Sequence, residues 1–215
     1  MKSLRGRMST MTPTTNNTEM VKQVKNAFNF VQKLYSESAY LVKEIEGQLS
    51  ETNPNFQMLR PSGYAISSRS STGLEPNHVN LWLLRKFAVA FVEVDENIQE
   101  TKQTFTKIDK KTKILYIRIV LDSKDLSEPT LFYGILHEIE LKKDSDKKFE
   151  NVMSHFNKSR VDEKMFSLKN KIDYKDGRIE LIGKYKTVSL LNINSSEDLM
   201  EKVLEPALKL YATIK

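Results

Sequence analysis

Residues 18–51 carry apolar side chains at steps of three and four: Val21, Val24, Phe28, Val31, Tyr35, Val42, Ile45 and Leu49, with Ser38 as the one polar member of the series. Side chains spaced this way share one face of a helix, because each turn takes 3.6 residues. A single heptad register held over that span predicts a coiled-coil type of helix about 50 Å long at 1.5 Å per residue. A rod of that length exceeds what the body built from the remaining residues covers. Part of its stripe is therefore expected to meet another chain.

The charges along this segment bear on the same question. Thr18 suits an N-cap, and Glu19 complements the positive end of the helix. Beyond them the order is reversed: Lys22, Lys25 and Lys33 precede Glu44, Glu46 and Glu51, against the preference of the macrodipole. Packing must then hold the helix. An antiparallel pair with a second copy, centred near residues 35–37, would lay the basic half of one helix beside the acidic half of its mate. The opposing expectation is a helix packed on its own domain, since Ala27, Phe30, Leu34 and Leu41 widen the stripe. On the first expectation the interface is Val21, Val24, Phe28, Val31, Tyr35, Val42, Ile45 and Leu49, and the partner is a second copy (a homodimer) or another protein.

Of the 215 residues 39% are hydrophobic, enough for a core, while 29% are charged and the mean hydropathy is −0.48. No apolar run is long enough to cross a membrane as a helix, and none is expected to. The basic start (Lys2, Arg5, Arg7) runs into the polar stretch 9–18 without an apolar segment, so a secretory leader is not expected. Absence of cysteine excludes disulfides, thiolate metal sites and cysteine nucleophiles together, and accords with a cytoplasmic setting. The net charge of +6, from 34 basic and 28 acidic residues, is mild and interspersed. Solubility explains it without nucleic acid.

Three segments follow from these patterns. Residues 1–17 are expected to be a disordered lead, 18–52 the association helix, and 63–215 a globular domain. Within the last, residues 87–94, 113–121 and 130–141 read as strands from their β-branched and aromatic content. Weaker strands are read at 63–71, 101–108 and 164–168, and short helices at 77–84, around Trp82, and 145–156. Asp176-Gly177 is a hairpin turn joining 172–174 to 178–182, and Gly183 is expected to end that strand before another at 185–191. A final helix starts at Ser195 or Ser196 and presents Leu199, Val203, Ala207, Leu210 and Ile214, with a bend at Pro206. The fold class is α+β: one long N-terminal helix, then a mainly antiparallel sheet of five to seven strands with two later helices.

Chemical motifs are sparse, and no catalytic residue, metal ligand set or cofactor is assigned. The best constellation is Glu138, Glu140 and Lys142, which would share one face of a regular strand. Two acids and a lysine are the groups a Mg²⁺-dependent nuclease uses to hold the ion and position water. With Asp122 upstream they superficially resemble the PD-(D/E)xK nuclease pattern. A hairpin of 113–121 with 130–142, however, sets Asp122 roughly 30 Å from Glu140 at 3.3 Å per residue. A cross-strand charge ladder with Lys111 and Lys113 accounts for the same residues. The cluster Lys107, Lys110, Lys111 and Lys113 would be the nucleic-acid contact if there is one. His78, His137 and His155 have no ligand spacing, and His137 alone falls among inward-facing residues. The serine-rich loop 67–73, with Arg69 and Gly73, offers an anion contact or a solvated turn. The leading expectation is therefore a non-enzymatic interaction protein, ahead of a nucleic-acid binder and a nuclease.

Overall fold

A computed structural model of the chain describes residues 17–58, 66–67, 83, 85–93, 110–142, 170–175 and 179–214. Trp82, His78, His155, Lys107, the turn at Asp176-Gly177 and the segments expected at 101–108, 145–156 and 164–168 lie outside the described residues, as does the lead 1–16. The chain divides into two compact units, Met1–Tyr40 and Leu41–Lys215.

Helix α1 runs unbroken over Asn17–Thr52, within a residue of the span read from periodicity. The boundary between the two units falls inside it, after Tyr40. Ser38, the polar member of the stripe, is buried, and its hydroxyl donates to the Leu34 carbonyl at 2.9 Å. A serine satisfied by its own helix in this way costs the stripe little. The helix ends at Asn53, whose side-chain oxygen accepts from the Asn55 amide at 3.0 Å in an Asx turn around Pro54.

The second unit is built on a seven-stranded, wholly antiparallel sheet: β1 (Phe56–Met58), β2 (Ile66–Ser67), β3 (Lys86–Glu93), β4 (Ile114–Val120), β5 (Thr130–Leu141), β6 (Lys171–Lys175) and β7 (Ile179–Ser189). The order is β1-β3-β4-β5-β7-β6, with β2 also paired to β3. All seven residues of β4 are buried. Both faces of the sheet are covered there, which is why Ile-Leu-Tyr-Ile-Arg-Ile-Val reads as a continuous run rather than an alternating one. One face holds Ala88, Ala90, Tyr116, Leu136, Ile139 and Leu181. The other holds Phe91, Leu115, Ile117, Leu131, Tyr133 and Ile135, on which the residues of α1 from Val42 onward and the C-terminal helix are packed.

Strand β7 corrects one expectation. It continues through Gly183 instead of stopping there, and the glycine has a packing role. A Cβ at Gly183 would stand 2.0 Å from the Ile135 carbonyl oxygen, and one at Gly134 would stand 2.5 Å from that of Lys184. The two glycines let β5 and β7 approach closely, with Gly134 opposite Tyr185 and Gly183 opposite Leu136.

The C-terminal helix begins as expected. Ser195 is the N-cap, its hydroxyl accepting from the Asp198 amide at 3.2 Å, while Asp198 accepts in return from the Asn194 amide at 2.9 Å. Helix α2 (Ser196–Leu199) passes through a π-helical turn, Met200–Leu204, into α3 (Glu205–Thr213). Pro206 has no amide to bond four residues back, and the wider turn accommodates it: the Glu205 amide reaches back to the Met200 carbonyl. Leu204 and Tyr211 join Leu199, Val203, Ala207 and Ile214 in the core.

Tyr211 ties this helix to the sheet. Its ring meets Phe56 edge-on at 5.1 Å, and the Lys113 ammonium lies 4.5 Å above it while donating to the Ile214 carbonyl at 3.0 Å. Burial, with help from the Glu93 carboxylate, pushes the phenol from 10.0 up to about 12. The folded state thus holds this proton more tightly than the unfolded chain. The associated stability is complete below pH 10 and is lost as the pH rises from 10 toward 12. Absorbance titration should show Tyr211 ionising near pH 12, and urea midpoints should fall over that window in the native chain but much less in Tyr211→Phe.

Candidate functional sites

Two surfaces collect the residues singled out by sequence. The first is α1. Ile45 is 0% exposed, and Val42 and Leu49 are also buried, all three within the apolar cluster formed with Leu115, Ile117, Val203 and Ala207. Val21, Val24 and Phe28, in the same heptad phase, are exposed, Phe28 to 69%. Val31 and Tyr35 are half-buried. The eight expected interface residues therefore separate. Val42, Ile45 and Leu49 belong to the chain's own core, because strands β3 to β5 and the C-terminal helix present apolar surface to them. An antiparallel pair centred near residues 35–37 would need those three side chains for the partner, and they are packed at home. What stays open to a partner is the stripe ahead of residue 35.

The second surface lies at the far end of β5, where an open trough of about 200 Å³ is lined by Lys110, Glu138, Glu140, Asp173, Lys175 and Glu180. Glu138 has a positive φ of 51°, and the register of β5 on β7 slips between His137 and Glu140. This is a β-bulge: one extra residue turns the following side chains to the opposite face. Ile135 accordingly packs in the cluster beneath the helices, whereas Ile139 packs in the cluster on the other face. The bulge sets Ile135 and Ile139, which a regular strand would place on one face, on opposite faces, while Glu138 and Glu140 both line the trough and Lys142 reaches Glu180.

Each acid in the trough has its own neighbour. Glu140 pairs with Lys110 at 2.9 Å, and Glu180 is held between Lys142 at 2.6 Å and Lys175 at 2.8 Å. Hydrogen bonds from the two lysines hold the Glu180 carboxyl below the usual range, and those to Glu140 and Glu180 raise Lys110 and Lys175. Glu138 lies 3.6 Å from His137 Nδ1. Burial lowers the His137 pKa, so the imidazole is neutral near pH 7 and this contact is not an ion pair. Asp122 sits past the other end of β4, paired with Arg85 at 3.1 Å. Among the described residues no three histidine, aspartate or glutamate side chains are placed to hold a metal ion together. The arrangement is a solvated network of ion pairs, which water and salt screen, so it adds little to stability.

Two described members of the basic cluster are likewise engaged. Lys110 is committed to Glu140 and Lys113 to the end of the C-terminal helix. Of the trough's members, Asp173, Lys175 and Glu180 escaped sequence reasoning. Their alternation in the hairpin β6–β7 was visible, but which strand lies beside β5 was not.

Among the described residues no helix is long and apolar enough to cross a membrane. Comparison with family models, curated proteins and solved structures finds no match to this chain, so its function is read from its own surfaces.

Proposed function

We propose that the chain is a non-enzymatic assembly protein that self-associates through the exposed part of α1. The observation that carries this reading is the division of one heptad stripe. Val42, Ile45 and Leu49 are buried at home, while Val21, Val24 and Phe28, identical in pattern, are exposed. A second copy is the partner favoured by the neighbouring positions. On either side of the stripe stand Met20, Lys25, Ala27, Gln32 and Leu34, so two copies can meet with few like charges opposed. A cytoplasmic setting is part of the reading and is supported by the lack of cysteine. The lysine cluster and the charged trough have no comparable observation in their favour: Lys110, Lys113, Glu140 and Glu180 are paired within the chain.

Burying a valine or phenylalanine side chain contributes about 1.5–3 kcal/mol. With three such side chains per copy, the gain is of the same order as the freedom lost on association. Association along this stripe alone is therefore weak and reversible on dilution. Size-exclusion chromatography with light scattering should give a concentration-dependent mass for the native chain and the 24.9 kDa monomer for Phe28→Asp. A native chain that stays monomeric up to hundreds of micromolar removes the proposal.

A further inference from the structure

Apolar side chains on the first unit's helix extend beyond the heptad stripe. Phe30 is 68% exposed and Met20 54% exposed. At about 100° per residue, Met20, Ala27, Phe30 and Leu34 form a second seam displaced by about 90° from Val21, Val24, Phe28, Val31 and Tyr35. Together they cover an arc of about 180°, interrupted by Gln23 between Phe30 and Leu34, whereas a helix facing one neighbour needs about 100°. Lys22, Lys25, Asn29, Lys33 and Glu37 occupy the other half of the circumference.

We infer that the self-association proposed above, on which this rests, builds a tetramer: two copies meet along the first stripe, and two such pairs meet antiparallel along the second. Two features of the helix favour a second copy as the occupant of that seam. An antiparallel pairing centred on residue 26 brings Ala27 of both copies beside the two-fold axis, where small side chains allow close approach. The same pairing sets Glu19 level with Lys33 of the other copy on the same flank, twice by symmetry, so the charges complement each other. Each Phe30 then lies between Met20 and Gln23 of the facing helix. A dimer would leave Phe30 in water, and its own gain is small, so the second seam supplies what a stable assembly lacks. D2 tetramers made from two kinds of two-fold contact are a common closed form.

Light scattering and native mass spectrometry of the full chain test this. The expected mass is four times 24.9 kDa for the native chain. Phe30→Asp should reduce it to the concentration-dependent monomer–dimer mass of the first stripe alone while leaving the far-UV spectrum unchanged, because the side chain is exposed in the isolated chain. Glu19→Lys should shift the tetramer–dimer equilibrium toward dimer by about tenfold in concentration, and Glu19→Lys with Lys33→Glu should restore it. A native mass of two or three chains overturns the tetramer and leaves self-association standing. So does a Phe30→Asp mass equal to that of the native chain. A native monomer overturns both readings. Failure of the charge reversal to restore the mass overturns the antiparallel arrangement.

Discussion

Gly183→Ala is expected to lower the stability of the second unit by about 3 kcal/mol, a large share of what holds a domain of this size together. The added methyl would overlap the Ile135 carbonyl oxygen, and its next contacts are also main-chain atoms of Ile135 and Leu136. No side-chain rotation relieves such a clash, so β5 and β7 must separate where they share the middle of the sheet. The comparison that isolates this cause is Gly47→Ala. A Cβ at Gly47 meets nothing within 4 Å, and the residue lies in the interior of α1, where alanine is favoured over glycine by about 0.5–1 kcal/mol. Urea denaturation should thus move the midpoint down sharply for the first variant and slightly up for the second, at equal slope. A Gly183→Ala chain as stable as the parent would mean that the strands are not in the described register.

Ile45→Ala is the second large effect. The side chain is fully buried among Leu115, Ile117 and Val203, and its truncation should cost about 2–5 kcal/mol through lost burial and the cavity left behind. Phe28→Ala, the larger deletion by volume, should change the unfolding free energy of the dilute chain by less than ~0.5 kcal/mol, because Phe28 is exposed there. In concentrated samples the order reverses for assembly. Phe28→Ala weakens it, and Ile45→Ala affects it only through the population of folded chains. Equal stability losses at the two positions would show that the heptad stripe serves a single purpose along its length.

The elements legible in the sequence are those specified locally. The helix limits, the Ser195 cap and the spans of β4 and β5 each depend on periodicity or on residues a few positions apart, and the structure places them within a residue or two. Features that depend on pairing were not legible. The bulge at Glu138 has no local signal, since glutamate is a poor residue for positive φ, and only the register on β7 reveals it. Gly183 looked like a strand end because glycine usually interrupts strands, and the reason for keeping it lies across the sheet in Ile135. The candidate interface shows the same limit. Val21 and Val42 occupy equivalent points of the repeat, and nothing in the repeat distinguishes the one buried at home from the one left exposed.

Amide hydrogen exchange of the full chain at two protein concentrations, about a hundredfold apart, addresses the divided stripe most directly. Amides of α1 from Leu41 to Thr52 should be strongly protected and insensitive to concentration, since their protection derives from the chain's own core. Amides from Glu19 to Phe30 should exchange fast in the dilute sample and become protected in the concentrated one. Protection of residues 19–30 that is the same at both concentrations would contradict the proposal that another copy of the chain covers them.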